Sequence, residues 1–213
     1  MNFIDQSIQL YAEQHTSEES HLLKNINRDT HAKVLMPRML SGHFQGRILS
    51  MISHMIKPKH ILEIGTYTGY SALCLAEGLH QDGRLTTIDI NEELEDYVRT
   101  HINKAGLTTK INFIIGDALQ VIPTLKETFD LVFMDADKEN YGEYIDVVIN
   151  KTRLGGFILA DNVLWSGKVL RDNQDKDTIS IINFNQKIQQ DKRVENVLLP
   201  IRDGIMIMRK VSL

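Results

Sequence analysis

"HILEIGTYTGYSALCLAEGL", residues 60–79, reads as a strand, a glycine-bounded turn and a helix in immediate succession. A strand that feeds a helix through a short turn is half of a βαβ unit. The pattern recurs downstream. "RLTTIDI" (84–90) precedes "NEELEDYVRTHINKAG", where Asn91 is placed to cap a helix and Glu92 and Glu93 to favour its dipole. "INFIIGDA" (111–118), "FDLVFMDA" (129–136) and "GGFILADNV" (155–163) follow, separated by helical segments at 118–127 and 139–153. Near-continuous apolar runs of this kind suit strands covered on both faces. Further on, "NVLLPI" (196–201) and "IMIMRK" (205–210) flank "RDG", a tight-turn signal. The expected fold is α/β, with five parallel strands plus an antiparallel C-terminal hairpin, flanked by helices. Residues 1–57 read as a helical extension that covers the carboxyl edge or a partner subunit. Pro58 separates it from an α/β core over 58–213, and the whole reads as one domain.

The bulk properties narrow the function. With 213 residues, 42% hydrophobic and 24% charged, the composition is that of a soluble globular protein. The net charge of −4 and the absence of any basic run argue against DNA as a partner. "MNFIDQSIQLYAEQH" lacks the basic and apolar regions of a signal peptide, and no apolar stretch approaches the ~20 residues of a membrane span. Cys74 is the single cysteine, so no intrachain disulfide forms, and a cytoplasmic location is expected. Cys74 itself is expected to pack as a small apolar residue.

In sheets of this kind ligands bind beyond the carboxyl ends of the strands. Those ends present Gly65 to Gly69, Asp89, Gly116-Asp117, Asp135 with Asp137 and Lys138, and Asp161-Asn162. The first turn differs from a dinucleotide fingerprint: three residues separate Gly65 from Gly69, and Tyr67 stands where the second glycine belongs. Glu63 just before the turn would repel a phosphate. An NAD oxidoreductase is therefore disfavoured. A ligand with a cationic group and no phosphate, S-adenosylmethionine, suits these acids better. Asp89 is placed to accept from ribose hydroxyls, and Asp117 from an adenine amino group.

At the other end of the edge, Asp135, Asp161 and Asn162 offer two carboxylates and an amide carbonyl. These are hard oxygen ligands of the kind Mg²⁺ takes, with Mn²⁺ or Ca²⁺ as alternatives. A divalent ion there would bind two adjacent phenolic oxygens and lower the pKa of one from near 10. Lys138, one helical turn from Asp135, is the candidate base for that proton. Asp137 is placed either behind this set or at a helix cap, and Trp165 and Tyr67 in the core or on a pocket wall.

"ILEIGTYTGYSALCLA", "TTIDIN", "GDALQVIP", "FDLVFMDADKENY", "LADNVLWSG" and "DGIMIMRK" closely resemble the cation-dependent class I O-methyltransferases. That group includes the catechol and caffeoyl-CoA enzymes. The resemblance covers roughly residues 35–210 and implies a Rossmann-like class I methyltransferase sheet. It matches Asp135, Asp161 and Asn162 to metal ligands and Lys138 to the catalytic base. Glu63, Gly65, Tyr67, Ser71, Asp89, Asp117 and Ala118 match donor-binding positions, with Asp135 beside them. "MLSGHFQG" (39–46) looks like the family's loop ahead of the first strand, so Met39, Ser41 and Gly42 are expected to touch donor or substrate. Met39, Lys138, Asp161, Asn162 and Trp165 are the expected acceptor contacts. The chain departs from the animal catechol enzyme at Val197, where that enzyme carries a glutamate. It departs from the plant enzymes in "DKDTISIINFN", which lacks their tyrosine pair. The resemblance implies methylation of a catechol-type phenol by a homodimer built on the N-terminal helices. The alternatives are a caffeoyl-CoA-type acceptor, 5-hydroxyuridine in tRNA, or donor binding without turnover.

Overall fold

The computed structural model describes residues 5–213. Seven strands form one sheet: β1 (His60–Ile64), β2 (Arg84–Asp89), β3 (Ile111–Ile115), β4 (Phe129–Met134), β5 (Thr152–Asp161), β6 (Val194–Leu199) and β7 (Ile205–Lys210). Their order is β3-β2-β1-β4-β5-β7-β6. The first five pair in parallel, and β7 lies antiparallel between β5 and β6. The parallel sheet and terminal hairpin expected from the sequence are both present.

Eight helices accompany the sheet among the described residues: α1 (Gln6–Gln14), α2 (His21–Lys33), α3 (Gly42–Ile56), α4 (Tyr70–Ala76), α5 (Glu95–Lys104), α6 (Ala118–Val121), α7 (Tyr141–Lys151) and α8 (Lys176–Gln190). The helical expectation for the N-terminal extension holds from α1 to α3; for residues 1–4 it lies outside the described residues. Asp5 caps α1 by accepting from Ser7 N, and Ser20 caps α2 by accepting from Leu23 N.

Successive strand side chains point to opposite faces, so parity decides what each helix layer covers. Leu62, Val132, Met134 and Ile158 pack with Ile145 and Val148 of α7 and Phe184 of α8. Ile61, Leu85, Leu131, Phe133 and Leu159 pack on the other side with Leu49 of α3, α4, and Val98 and Ile102 of α5. Both faces are buried, which accounts for the unbroken apolar runs.

Three local expectations shift. The 118–127 helix shortens to α6 and a 3-10 turn at Ile122–Thr124, because Pro123 cannot continue an α-helix. The 139–153 helix spans Tyr141–Lys151, and β5 begins at Thr152, three residues earlier than read; Gly155, at φ +74, interrupts its alternation. Asn91 caps a 3-10 turn, Glu92–Leu94, that leads into α5 rather than capping α5 itself.

The carboxyl end of β1 is held to those of β2 and β4. Gly65 N donates to Ile88 O at 2.9 Å and Asp135 N to Ile64 O at 2.8 Å. Gly65 has φ +94, and a Cβ there would fall 2.0 Å from Asp135 O, so no side chain fits between the two strand tips.

Candidate active site

The carboxyl edge opens into a cleft of about 1510 Å³, larger than the ~300–1,000 Å³ of a site for one small molecule. It has room for a donor and an acceptor side by side. Ile8, Gln9 and Ala12 of α1 stand on its wall, so the N-terminal extension does reach the carboxyl edge.

On the β1–β3 side, Tyr67, Asp89, Asp117 and Ala118 line the cleft. Asp89 accepts from Tyr67 N at 2.7 Å and from Asn91 N at 2.9 Å, which fixes the turn after β1 against the end of β2. Tyr67, at φ +48, donates its hydroxyl to Leu35 O at 2.9 Å and thereby ties this turn to the loop before α3. Asp117 accepts from Leu119 N at 2.9 Å as the cap of α6. Glu63 and Ser71 are also donor-side expectations, but neither is on the cleft wall. Parity explains this: Glu63 is in register with Thr87 on the face covered by α4, where Ser71 sits. Thr87 Oγ1 donates to Glu63 Oε2 at 2.6 Å, and Oε1 is buried without a partner. Burial pushes the Glu63 carboxyl up to about 8, against the pull of the Ser71 and Thr87 hydroxyls, with Asp135 and Asp89 adding to the rise.

On the β4–β5 side, Asp135, Lys138, Asp161, Asn162 and Trp165 come together on the cleft wall, with Met39 and Ser41 from the loop before α3. Lys138 Nζ donates to Asp135 Oδ1 at 3.0 Å and to the Tyr141 hydroxyl at 2.8 Å. Tyr141 is itself held by Asp161 O at 3.0 Å and Met134 O. Burial pulls the Lys138 ammonium toward its neutral form, but the fields of Tyr141 and Asp135 outweigh it and raise the pKa. Asp161 is buried; desolvation and the charge of Asp135 push its carboxyl up to about 6, while Gln45 and Lys138 oppose the rise. Its Oδ2 accepts from Gln45 Nε2 at 2.6 Å and its Oδ1 from Asn162 N at 2.8 Å. Asn162 has φ +60, a left-handed conformation that asparagine tolerates, and it stands on the cleft wall with no hydrogen bond to its side-chain amide among the described residues. Asp137 does not cap the turn that follows it. It accepts instead from Asn140 Nδ2 at 2.6 Å and from the Tyr144 hydroxyl at 2.5 Å.

Among the described residues no three His, Cys, Asp or Glu side chains form a metal-binding group. The set on this wall is two carboxylates and one amide, and its fit to a hard cation rests on that chemistry. The buried Asp161 feels the charge of the half-buried Asp135, Lys138 pairs with Asp135, and among the described residues the Asn162 carbonyl has no hydrogen-bond partner.

Gln45, Tyr141 and Arg202 were not assigned from the sequence. Gln45 lies inside the quoted "MLSGHFQG" but meets Asp161 across 116 residues, a pairing without local signal. Tyr141 ends "DADKENY" three residues from Lys138, a helical spacing that does place the two on one face. Cys74 is buried among apolar neighbours with its thiol pushed up to about 12, as expected of a packing residue.

A cleft at the carboxyl edge, with an acid-bearing turn on one side and an Asp/Lys/Asp/Asn set on the other, defines an α/β group-transfer enzyme. A family model described as O-methyltransferase matches residues 13–211, extending the 35–210 resemblance toward the N-terminus. Caffeoyl-CoA O-methyltransferase of Mesembryanthemum crystallinum is 38% identical over 198 residues, 87% of this chain and 78% of that one. The SAH-bound methyltransferase PaMTH1 of Podospora anserina superposes with a TM-score of 0.90 at 26% identity, covering 97% of this chain and 94% of that one. An O-methyltransferase from Bacillus cereus in complex with SAH gives 0.88 at 29% identity, covering 96% and 97%. The chain belongs to the O-methyltransferase family.

Proposed function

We propose that this O-methyltransferase moves a methyl group from S-adenosylmethionine to one hydroxyl of a catechol-type phenol with the help of a divalent cation, Mg²⁺ first. The observation that carries the reading is the convergence of Asp135, Lys138, Asp161 and Asn162 on one wall of a cleft with room for two ligands. Donor binding alone would require none of the four. The donor supplies an electrophilic methyl group on a sulfonium. Tyr67, Asp89, Asp117 and Ala118 flank its place, with Gly65 at the turn. Asp135, Asp161 and Asn162 would hold the cation, which supplies positive charge that offsets the two carboxylates and favours the ionised phenol. Lys138, held as an ammonium by Tyr141 and Asp135 in the metal-free site, would take the hydroxyl proton as its neutral amine, the form that a bound cation offsetting the two carboxylates would favour. Met39 and Trp165 close over the acceptor, and much of the rate comes from holding the reacting atoms at contact distance.

The caffeoyl-CoA-type acceptor stays in view because relatives of that name reach 38% identity. The division into a cap (1–57) and a core (58–213), a cytoplasmic location and homodimerisation belong to the same proposal. Met51 and Met55, exposed on α3, support the last of these. Among the described residues no helix is long and apolar enough to cross a membrane. The test is transfer of label from S-adenosylmethionine to caffeic acid and to bulk tRNA, each with Mg²⁺ or EDTA. Label on caffeic acid that EDTA abolishes is expected. Label on tRNA alone would overturn the phenolic reading, and no label on either would return the chain to donor binding without turnover.

A further inference from the structure

The acceptor side of the cleft carries a cation that this chemistry leaves unused. Four basic side chains stand on the wall: Arg38, Lys138, Lys168 and Arg202. Lys138 is bound to Asp135 and Tyr141, and Lys168 pairs with Asp175 at 2.7 Å. Arg38 and Arg202 enter no ion pair among the described residues.

Arg202 is the more informative of the two because its backbone is strained. It has φ +51 and is the first central residue of a turn closed by Gly204 N donating to Ile201 O at 2.9 Å. A left-handed φ at that place suits glycine, asparagine or aspartate, and no requirement of the turn calls for arginine. Nor is the side chain an anchor. Its one hydrogen bond among the described residues runs to Leu40 O at 3.3 Å, beyond the usual length for such a bond. The rest of the guanidinium fork is open to the cleft. It spans from the β6–β7 turn to the loop before α3, with Nη1 3.9 Å from where a Gly42 Cβ would be. From there its charge acts on Asp161 and Asp203, neither of which it pairs with.

We propose that Arg202 selects the acceptor: it receives the carboxylate of a dihydroxylated aromatic acid whose hydroxyl pair lies toward Asp161 and Asn162. The inference rests on the phenolic reading above and names the class of phenol. A planar guanidinium meets a carboxylate through two parallel hydrogen bonds, a match that neither an alcohol nor an ether offers. Trp165, Met39 and Ile201 supply apolar wall for the ring between the two polar ends.

The experiment measures initial rates, with Mg²⁺ present, on 3,4-dihydroxycinnamate, its matched alcohol and its coenzyme A thioester. Wild type, Arg202→Gly and Arg202→Lys are compared. Glycine accepts the left-handed turn, so Arg202→Gly is expected to melt at or above the wild-type temperature, which separates lost recognition from lost folding. The wild type is expected to prefer the acid to the alcohol. In Arg202→Gly that preference in kcat/KM falls by about tenfold, carried by KM, as expected for one charge-assisted contact at a partly open site. The calorimetric Kd of the acid, with S-adenosylhomocysteine present, rises by the same factor, and Arg202→Lys retains part of the preference. Equal use of acid and alcohol by the wild type overturns the assignment and leaves the phenolic reading standing. So does an equal loss on both in Arg202→Gly, the result expected if Arg202 only balances Asp161 and Asp203. A loss confined to the thioester overturns the carboxylate assignment and moves the cation to a phosphate. No turnover of any of the three by wild type overturns the phenolic reading and this one with it.

Discussion

Glu63 on β1 and Asp135 at the tip of β4 stand on neighbouring strands, yet the protein answers these two acids in opposite ways. Glu63 is enclosed with hydroxyls from Thr87 and Ser71 and no cation, so burial decides and the carboxyl rises to about 8. Asp135 is given Lys138 at 3.0 Å and a place on the cleft wall. The contrast extends to the two sides of the cleft. The β1–β3 side, proposed for the donor, is built by strand register: Glu63 faces Thr87, and Asp89 pins the turn after β1. The β4–β5 side, proposed for the acceptor, draws on loops, with Asn162, Trp165, Ser166 and Arg202 all at positive φ. Sheet register preorganises one side, and side chains from distant segments brace the other.

If the two sides are separable, Asp161→Ala has the largest effect. If Asp161 holds the proposed cation, turnover should fall by more than the about 10²–10⁴-fold of a lost general base, since even residues behind a metal ligand cost about 10–100-fold when removed. Affinity for S-adenosylhomocysteine, by calorimetry, should stay within a factor of a few. Loss of both together would show that the halves are one cooperative unit. Lys138→Ala tests the brace itself: kcat should drop by about 10²–10⁴ with little change in KM, the range of a general base. Full activity at neutral pH would remove Lys138 from that role.

The smallest effect concerns the enclosed acid and its sign. The folded-state pKa of Glu63, about 8, lies above its ordinary value of 4.5. The folded chain therefore keeps a proton that the unfolded chain releases, and stability falls as pH rises from about 4.5 to about 8. Asp161 adds to the lower part of that window, from 3.8 to about 6. In metal- and donor-free protein Glu63→Gln should flatten the fall and melt a few degrees above wild type at pH 8, given about 2–4 °C per kcal/mol at this chain length. Scanning calorimetry from pH 5 to pH 8 reads the slope. An unchanged slope would mean that Glu63 ionises freely, and the contrast between the two acids would collapse.

The same division governs how much could be read from the sequence. Strand ends carry a local signature, an apolar run closing on Gly or Asp, so β1 to β5 and the cleft they define were legible in advance. Asp135, Lys138, Asp161 and Asn162 were legible because they sit within a few residues of those ends. Gln45 was not, because only folding brings it to Asp161. Arg202 was hidden differently: "RDG" reads as a turn, and a turn signal says nothing of where an arginine in it reaches. Glu63 was legible as an acid at the donor edge but was expected against the ligand. Its alternation with Ile64 turns it instead onto the α4-covered face, behind the cleft.

β7 lies between β5 and β6 although it follows both in the sequence. A chain made N-terminus first therefore delivers β6 ahead of the strand that joins it to the sheet. β6 has no place in the sheet until β7 pairs with β5, and the 200–204 turn is set only when that pairing is made. β1 to β3 are all translated by residue 115. A nascent chain can thus assemble the β1–β3 edge before the turn that carries Arg202, and if Arg202 selects the acceptor as proposed, choosiness is the last property the chain acquires.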